Sequence, residues 1–321
     1  MTDSCCGPSR DGQEALTTRV LYWYILETFL RRGREPTLAD MERDLHFRRD
    51  AIARMLTSLE KKGAVRLDPL TSRIMDAYPY SAVPTRHQAS LMNGKRVFCM
   101  CAIDVFYLPF LTGNHVEVRS RCYECRAEIQ IRLAPPPAAV FRGQKSGSGA
   151  NFLSSIEVES ISGVKPPTAV LWDSAAAYDC PKTNFFCSEE HLRQWQDRAP
   201  EESGQACTLA EALERGRKAG QRFQETKAGL NEILWATADE LVCYCREVPK
   251  AAIVNAVARG ARSVEQVAAV TTACTGRWCK EVNPRQRCCS AEIEALVECY
   301  SGGSISSSED GARDDCGCGP G

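Results

Sequence analysis

The stretch Arg96-Val-Phe-Cys-Met-Cys101-Ala-Ile-Asp104 decides the interpretation of the centre of this chain. Its first half is strand-like, and its second half places a carboxylate three residues after a thiol. Far downstream, Cys180-Pro-Lys-Thr-Asn-Phe-Phe-Cys187-Ser188 supplies another thiol. Thiolate sulfur selects soft metals such as Hg(II), Cu(I) and Zn(II), and a neighbouring carboxylic acid can donate a proton to a departing group. The two stretches therefore predict a thiol-based metal site with a proton donor.

The overall composition is that of an ordinary globular protein. The chain has 321 residues, of which 44% are hydrophobic, and a formal net charge of −1. This length allows two or three domains, and the charge balance favours neither nucleic acid nor a membrane surface as a partner. No apolar run is long enough to span a bilayer, and the polar N-terminus does not resemble a signal peptide. We therefore expect a cytoplasmic protein that does not associate with membranes.

Cysteine is the unusual component, with 18 residues that stand mostly in close pairs. A chain of this length with no export signal is expected to keep its thiols reduced for metals. A disulfide framework is the alternative. The pairs are Cys5/Cys6, Cys99/Cys101, Cys122/Cys125, Cys243/Cys245, Cys274/Cys279, Cys288/Cys289 and Cys316/Cys318.

The fold class predicted from these patterns is α+β. Residues 13–78 have the apolar spacing of a helical, winged helix-turn-helix-like domain. Residues 1–80 carry 13 basic against 12 acidic side chains, so we expect a packing role for that domain rather than DNA binding. Residues 79–200 predict an α+β domain with a mixed or antiparallel sheet, in which Glu128–Leu133 alternates as a half-buried strand should.

Three further segments complete the predicted organisation. Residues 201–239 form a charged helical connector, and residues 240–300 form a small helical domain. Residues 1–12 and 301–321 have the composition of disordered tails. Each tail carries paired cysteines, which could be metal-transferring thiols or incidental ones.

Four stretches of the central segment share a pattern, namely Pro79-Tyr80-Ser81-Ala-Val-Pro84-Thr85-Arg-His87 with Gly94, Cys101-Ala-Ile-Asp104 with Pro109, Val118-Arg-Ser120-Arg-Cys122, and Cys180 to Ser188 with Trp195. With these residues the chain resembles the organomercurial (alkylmercury) lyase family over about residues 13 to 198. The resemblance implies that Cys101 and Cys180 are the thiols that bind mercury. It also implies that Asp104 is the carboxylate that handles the proton when the carbon–mercury bond is cleaved.

Additional thiols depart from that family pattern. Cys99, Cys122, Cys125 and Cys187 are candidate accessory thiols for metal, and each of them could equally be a core residue. Cys122 and Cys125 have the spacing of half a zinc site, but the sequence indicates no second pair in this domain. His87 is expected to be structural. His46, His115 and His191 are expected to be ordinary polar residues.

Val242-Cys243-Tyr-Cys245 is followed by Cys274 and Cys279, with two short predicted helices between the two cysteine pairs. This C-terminal segment resembles the bacterioferritin-associated-ferredoxin-like 2Fe–2S domain, in the version found in some copper chaperones. The resemblance implies that Cys243, Cys245, Cys274 and Cys279 ligate the cluster, since four thiolates suit a 2Fe–2S centre. A structural zinc ion is the alternative. No organic cofactor is expected. The remaining cysteines are Cys288, Cys289 and Cys299, of which the last is predicted to be buried on the final helix.

The leading functional hypothesis is therefore an organomercurial lyase that converts its substrate by protonolysis to a hydrocarbon and Hg(II). A thiol or a mercuric reductase would accept the Hg(II). The 2Fe–2S domain would donate electrons to an electron-transfer partner, act as a redox sensor or stabilise the fold. One alternative is a Hg(II) or Cu(I) metallochaperone or storage protein on the same fold. A metal-responsive DNA-binding regulator is the weakest alternative.

Overall fold

A computed structural model describes residues 10–134, 158–159, 169–172, 183–201 and 204–302. The chain divides into two compact units. The first comprises Met1–Thr17, Ala39–Arg54 and Leu230–Gly321, and the second comprises Thr18–Leu38 and Met55–Gly229. The domain boundaries predicted from the sequence stay predictions. Both predicted tails lie almost wholly outside the described residues.

The N-terminal elements have the order of a winged helix. Three helices, α1 to α3, precede the antiparallel strands β1 and β2. Helix α3 buries Met55 and Leu59 on one face, and Gly63 ends the helical stretch with a φ of 68°, a conformation that favours glycine. The elements are α1 (Arg10–Arg32), α2 (Leu38–Leu45), α3 (Arg49–Lys61), β1 (Val65–Leu67) and β2 (Ile74–Ala77).

An eight-stranded sheet forms the centre of the second unit, in the order β1-β2-β3-β5-β4-β6-β7-β8. Every described pairing in it is antiparallel. Strands β6 and β7 alternate buried and less buried residues, as expected when one sheet face covers the core. The further strands are β3 (Tyr80–Ser81), β4 (His87–Ser90), β5 (Arg96–Cys99), β6 (Val116–Arg121), β7 (Glu128–Leu133) and β8 (Val158–Glu159).

Helices and a smaller sheet complete the second unit. A three-stranded antiparallel sheet has the order β10-β9-β11. The structure thus confirms the predicted α+β fold. The elements are a 3₁₀ helix (Asp104–Tyr107), α4 (Leu108–Thr112), β9 (Ala169–Trp172), β10 (Asn184–Phe186), α5 (Glu189–Arg198), β11 (Gln205–Cys207) and α6 (Leu209–Lys227).

Two glycines bring helix α6 against the segment that carries Asp104. A Cβ atom added to Gly216 would lie 2.5 Å from Phe106 Cβ and 2.8 Å from its carbonyl oxygen. One added to Gly220 would lie 2.3 Å from Phe110 Cγ. Contacts this short are repulsive, so the packing requires glycine at both positions. Helix α6 therefore fixes the 3₁₀ helix that begins at Asp104.

The first unit is a small helical bundle with a two-stranded ribbon. Its buried Lys250 donates from Nζ to the carbonyl oxygens of Asp44 (3.0 Å), Leu234 (2.9 Å) and Ala236 (2.8 Å). Three carbonyl acceptors satisfy all three ammonium donors. The elements are a 3₁₀ helix (Glu232–Trp235), β12 (Leu241–Cys243), β13 (Val248–Pro249), α7 (Lys250–Ala258), α8 (Val264–Thr271), α9 (Cys279–Val282) and α10 (Ser290–Tyr300).

No helix among the described residues is long and apolar enough to cross a lipid bilayer.

We predict that Gly216→Ala destabilises the protein by about 1–3 kcal/mol because the added methyl group meets Phe106. In an open helix the same change would stabilise by about 1 kcal/mol, so the two expectations differ in sign. Urea unfolding followed by circular dichroism measures the effect. Lys218→Ala, on the exposed side of the same helix, is the matched control and should change stability little. A Gly216→Ala protein as stable as the wild type would contradict the packing described.

Candidate functional site

Cys101 and Asp104 meet directly after strand β5. The backbone N–H of Cys101 donates to Asp104 Oδ2 at 2.9 Å. Both residues are buried, and the Asp104 side chain lies at the first position of the 3₁₀ helix. The other carboxyl oxygen, Oδ1, makes no hydrogen bond of normal geometry to the described residues. The predicted Cys-x-x-Asp motif is therefore a compact turn that places a carboxyl group beside the thiol-bearing residue.

Burial gives Asp104 an unusual proton affinity. Burial raises the pKa of Asp104 to about 7, although hydrogen bonds from Cys101 and Tyr78 lower this pKa. Burial, reinforced by the nearby Asp104 carboxylate, also raises the pKa of Tyr22 and Tyr78. A carboxyl group with a pKa near neutrality can hold a proton and release it under ordinary conditions. Tyr78 was not singled out from the sequence, because its neighbours are distant in the chain.

A cavity of about 960 Å³ is lined by Met100, the residue before Cys101, but not by Cys101 or Asp104 themselves. Tyr78 and Met100 form part of its wall next to the turn, and His87 and Asn184 line it as well. His87 is buried, and its Nδ1 lies 2.9 Å from Ser120 Oγ. Burial lowers the pKa of His87 to about 3, so its ring is neutral at physiological pH. This is consistent with the structural role expected for His87.

Cys99 lies two residues before Cys101 and is completely buried on β5. Burial raises the pKa of the Cys99 thiol far above its usual value, with a further contribution from Asp104. A thiol in that state is a poor metal ligand, because the thiolate is the species that binds. Its predicted accessory role stays a prediction.

Cys180 lies outside the described residues, as do Cys5, Cys6, Cys316 and Cys318. Thr183 is the first described residue after Cys180. Its carbonyl oxygen accepts a hydrogen bond from the backbone N–H of Ala102 at 3.0 Å. This bond joins the start of the Asn184–Phe186 strand to the turn that contains Cys101 and Asp104.

A second thiol group contains Cys122, Cys125 and Cys187 together with His191. Their ligand atoms all lie within 4.8 Å of one another. The sequence indicated no second pair for Cys122 and Cys125 and an ordinary polar role for His191, whereas the structure places two further candidate ligands beside them. The missing pair is Cys187 with His191, four residues later in the first turn of α5. The Cys-x3-His spacing was visible, but its proximity to the β6–β7 turn arises only from the tertiary fold.

The thiols of this group differ in their pKa values. Burial raises the pKa of Cys122, but backbone N–H groups of Cys125, Cys187 and Glu124 outweigh it and lower the pKa to about 7. Burial and the neighbouring thiols raise the pKa of Cys187 to about 12. The group therefore favours a thiolate at Cys122.

The C-terminal cysteines also gather in one place. The Cys245 Sγ atom lies 3.7 Å from both Cys243 Sγ and Cys279 Sγ. Two thiolates on one tetrahedral metal, with metal–sulfur bonds near 2.3 Å, lie about 3.8 Å apart. A Cβ atom added to Gly276 would lie 2.4 Å from Cys245 Sγ, so the loop between Cys274 and Cys279 closes tightly on the thiols.

Cys274 lies beside Cys288 and Cys289, to which the resemblance assigns no role. Its Sγ atom lies 3.2 Å from Cys288 Sγ and 3.6 Å from Cys289 Sγ. Six thiols are thus available where a 2Fe–2S cluster needs four. Cys299 is buried on α10, as predicted.

Comparison with protein families matches the central part of the chain to the alkylmercury lyase model over residues 80–144 and 155–221. The central region is alkylmercury lyase-like. Residues 241–298 match the BFD-like [2Fe-2S] binding domain. The two resemblances stated from the sequence are therefore confirmed.

Curated relatives support the same assignment at modest identity. Alkylmercury lyases of Bacillus cereus and Clostridium butyricum are each 25% identical over 152 residues, which is 45% of this chain and 58% of theirs. The lyase of Staphylococcus epidermidis is 26% identical over 156 residues, or 46% of this chain and 60% of its own. The chain therefore spans less than two thirds of the length of these relatives.

Among solved structures, the mercury-bound form of MerB2 aligns with a TM-score of 0.46 and 18% identity. The alignment covers 66% of this chain and 98% of that one.

Residues 14–74 match the LexA DNA binding domain model, which agrees with the predicted winged-helix-like fold. Three arginines that a DNA-binding role of this domain would use are paired with acidic groups. Arg48 and Arg54 contact Asp50 at 3.1 and 2.9 Å, and Arg49 contacts Glu42 at 3.2 Å. These pairs reduce the positive charge that α3 presents.

Proposed function

We propose that this protein is an organomercurial lyase, in which Cys101 and Cys180 bind the mercury atom of an R–Hg⁺ substrate and Asp104 delivers the proton. The observation that carries the proposal is the buried Asp104 carboxyl group, which accepts the Cys101 amide and has a raised pKa. A metal-binding protein needs thiols, but it does not need a proton donor in contact with them.

Chain connectivity supports Cys180 as the second thiol. Thr183 is hydrogen-bonded to Ala102, and three residues of chain span at most about 11 Å. The short sequence separation between Cys180 and Thr183 is therefore compatible with the proposed role of Cys180. The cavity wall formed by Tyr78 and Met100 offers space for the organic group beside the same turn.

The proposed reaction begins when a thiolate of Cys101 or Cys180 binds R–Hg⁺. Binding of the second thiol releases a proton, which the Asp104 carboxylate accepts. Two thiolates raise the electron density on mercury and on the attached carbon. The carbon–mercury bond then breaks, its electron pair takes the proton from Asp104, and R–H leaves. Hg(II) stays on the two sulfur atoms until a small thiol or a mercuric reductase accepts it.

We also propose that the C-terminal domain binds a 2Fe–2S cluster through Cys243, Cys245, Cys274 and Cys279. The thiol-only donor set and the close approach of Gly276 to Cys245 fit such a cluster. When bound, it would supply one-electron redox chemistry, and no step of the lyase reaction depends on it. Zinc is the alternative occupant, because four thiolates suit it equally.

The alternative functions make different demands on the chain. A metallochaperone or storage protein for Hg(II) or Cu(I) would use the same thiols without Asp104. A DNA-binding regulator would need its basic side chains free, but Arg48, Arg49 and Arg54 are paired with acidic residues. We therefore retain the metal-storage function as the runner-up.

We predict that the wild-type protein releases benzene from phenylmercury in the presence of excess thiol under nitrogen. Asp104→Asn should lower the rate about 100-fold or more, because general acid catalysis contributes about 10²–10⁴-fold. Asparagine keeps an oxygen that can accept the Cys101 amide, so mercury binding should persist. Headspace chromatography measures the benzene, and equilibrium dialysis measures the mercury retained.

Cys101→Ser and Cys180→Ser should both abolish benzene release, whereas Cys99→Ala serves as the control because its buried thiol is protonated. Tight mercury binding by the wild type with no benzene would favour the storage function. Unchanged turnover in Asp104→Asn would contradict the proposal that Asp104 is the proton donor.

For the C-terminal domain, we predict that Cys279→Ser loses iron and the visible absorption of the cluster. Cys288→Ser should retain both, because Cys288 is not among the proposed ligands. Cys299→Ser, a buried position on α10, controls for general damage to the domain. Iron analysis and absorption spectra of anaerobically purified protein measure the cluster content of each variant. Loss of the cluster in Cys288→Ser with its retention in Cys279→Ser would show that the ligands are assigned wrongly. Zinc without iron in the wild type would show that the domain binds zinc instead of a cluster.

A further inference from the structure

Four metal-ligating side chains converge outside the lyase site. The turn between β6 and β7 contributes Cys122 and Cys125. The end of β10 contributes Cys187, and the first turn of α5 contributes His191. One ligand atom from each lies within 4.8 Å of all the others. Segments more than sixty residues apart in sequence therefore meet in one group.

Two of the three distances below are close to the edges of a tetrahedron around a metal ion, and the third, between His191 and Cys187, is shorter. With Zn–S bonds near 2.3 Å and Zn–N bonds of 2.0–2.1 Å, two sulfurs lie about 3.8 Å apart and a sulfur and a nitrogen about 3.6 Å apart. The Sγ atoms of Cys125 and Cys187 are 3.6 Å apart. His191 Nδ1 lies 3.8 Å from Cys122 Sγ and 3.0 Å from Cys187 Sγ.

Backbone hydrogen bonds hold the two segments in this arrangement. The Cys122 N–H donates to Ala127 O at 2.9 Å, which closes the turn, and the Tyr123 N–H donates to Phe185 O at 2.9 Å. The Cys187 N–H lies 3.4 Å from Cys122 Sγ and donates to it. Such N–H donors stabilise negative charge on sulfur, as a metal-bound thiolate requires.

Helix α5 is positioned independently of any metal. Ser188 caps it by accepting the His191 N–H at 3.2 Å, which places His191 one turn above Cys187. Tyr123, Phe186 and Trp195 pack together with ring centroids 5.8–6.2 Å apart. The four ligands are therefore preorganised by contacts on both sides of the group.

We propose that Cys122, Cys125, Cys187 and His191 bind a zinc ion that joins the β6–β7 turn to β10 and α5. Three thiolates and one imidazole are a donor set typical of structural zinc, and four protein ligands leave no position open for substrate. The site therefore serves stability rather than catalysis. It also removes three candidate accessory thiols from the mercury pathway and fixes the chain that follows Cys180.

Zinc content per chain tests the proposal on the full-length protein. The wild type, purified anaerobically without added metal, should contain one zinc more than Cys125→Ser and one more than His191→Ala. His191→Cys should keep the zinc, since Cys₄ is an equally good donor set. Cys207→Ala, a buried thiol outside the group, should also keep it. Zinc and iron are counted in the same samples, so the occupant of the C-terminal domain cancels in each difference.

Cobalt substitution identifies the ligands separately from stability. The d–d spectrum of Co(II) should indicate tetrahedral Cys₃His coordination in the wild type and shift towards Cys₄ in His191→Cys. Equal zinc in folded wild type and Cys125→Ser would overturn the proposal. So would a Cys125–Cys187 disulfide in a peptide map of the untreated protein. Neither outcome depends on whether the protein cleaves carbon–mercury bonds.

Discussion

The hydrogen bond from the Cys101 amide to the buried Asp104 carboxyl group is the interaction on which the proposed chemistry depends. It fixes the carboxyl group beside the thiol-bearing residue, in a place where water cannot stabilise the charged form. Desolvation of a carboxylate raises its pKa, and here it brings Asp104 to about 7. A surface carboxylate with an ordinary pKa would be ionised at neutral pH and would hold no proton to deliver.

The surrounding fold keeps this turn closed. Helix α6 packs directly on the Asp104–Tyr107 helix through Gly216, and Thr183 accepts the amide of Ala102 from the other side. The proposed zinc group would then secure the strand that begins at Asn184. The geometry of this turn thus rests on contacts between distant segments, each of which limits where the Asp104 carboxyl group can move.

The sequence predicted the parts of the structure that local patterns encode. The alternation of Glu128–Leu133 predicted a half-buried strand, and the Cys-x-x-Asp spacing placed a carboxylate three residues after a thiol. The His191 contribution could not be predicted, because the distance between Cys187 and the Cys122 turn is set by sheet and helix packing. For the same reason Lys250, with its three buried carbonyl partners, looked like an ordinary helix residue. The mercury-binding role of Cys180 and the disorder of both tails stay predictions.

The most direct test of the central claim is the protonation state of Asp104 in the mercury-free protein. Infrared difference spectra of wild type against Asp104→Asn, recorded from pH 5 to pH 9, isolate its carboxyl band. With a pKa of about 7, the protonated band should dominate at pH 6 and disappear as the pH rises through 7. A carboxylate band already complete at pH 6 would contradict the account, since Asp104 would then lack the raised proton affinity with which it takes up the thiol proton and holds it for the departing carbon.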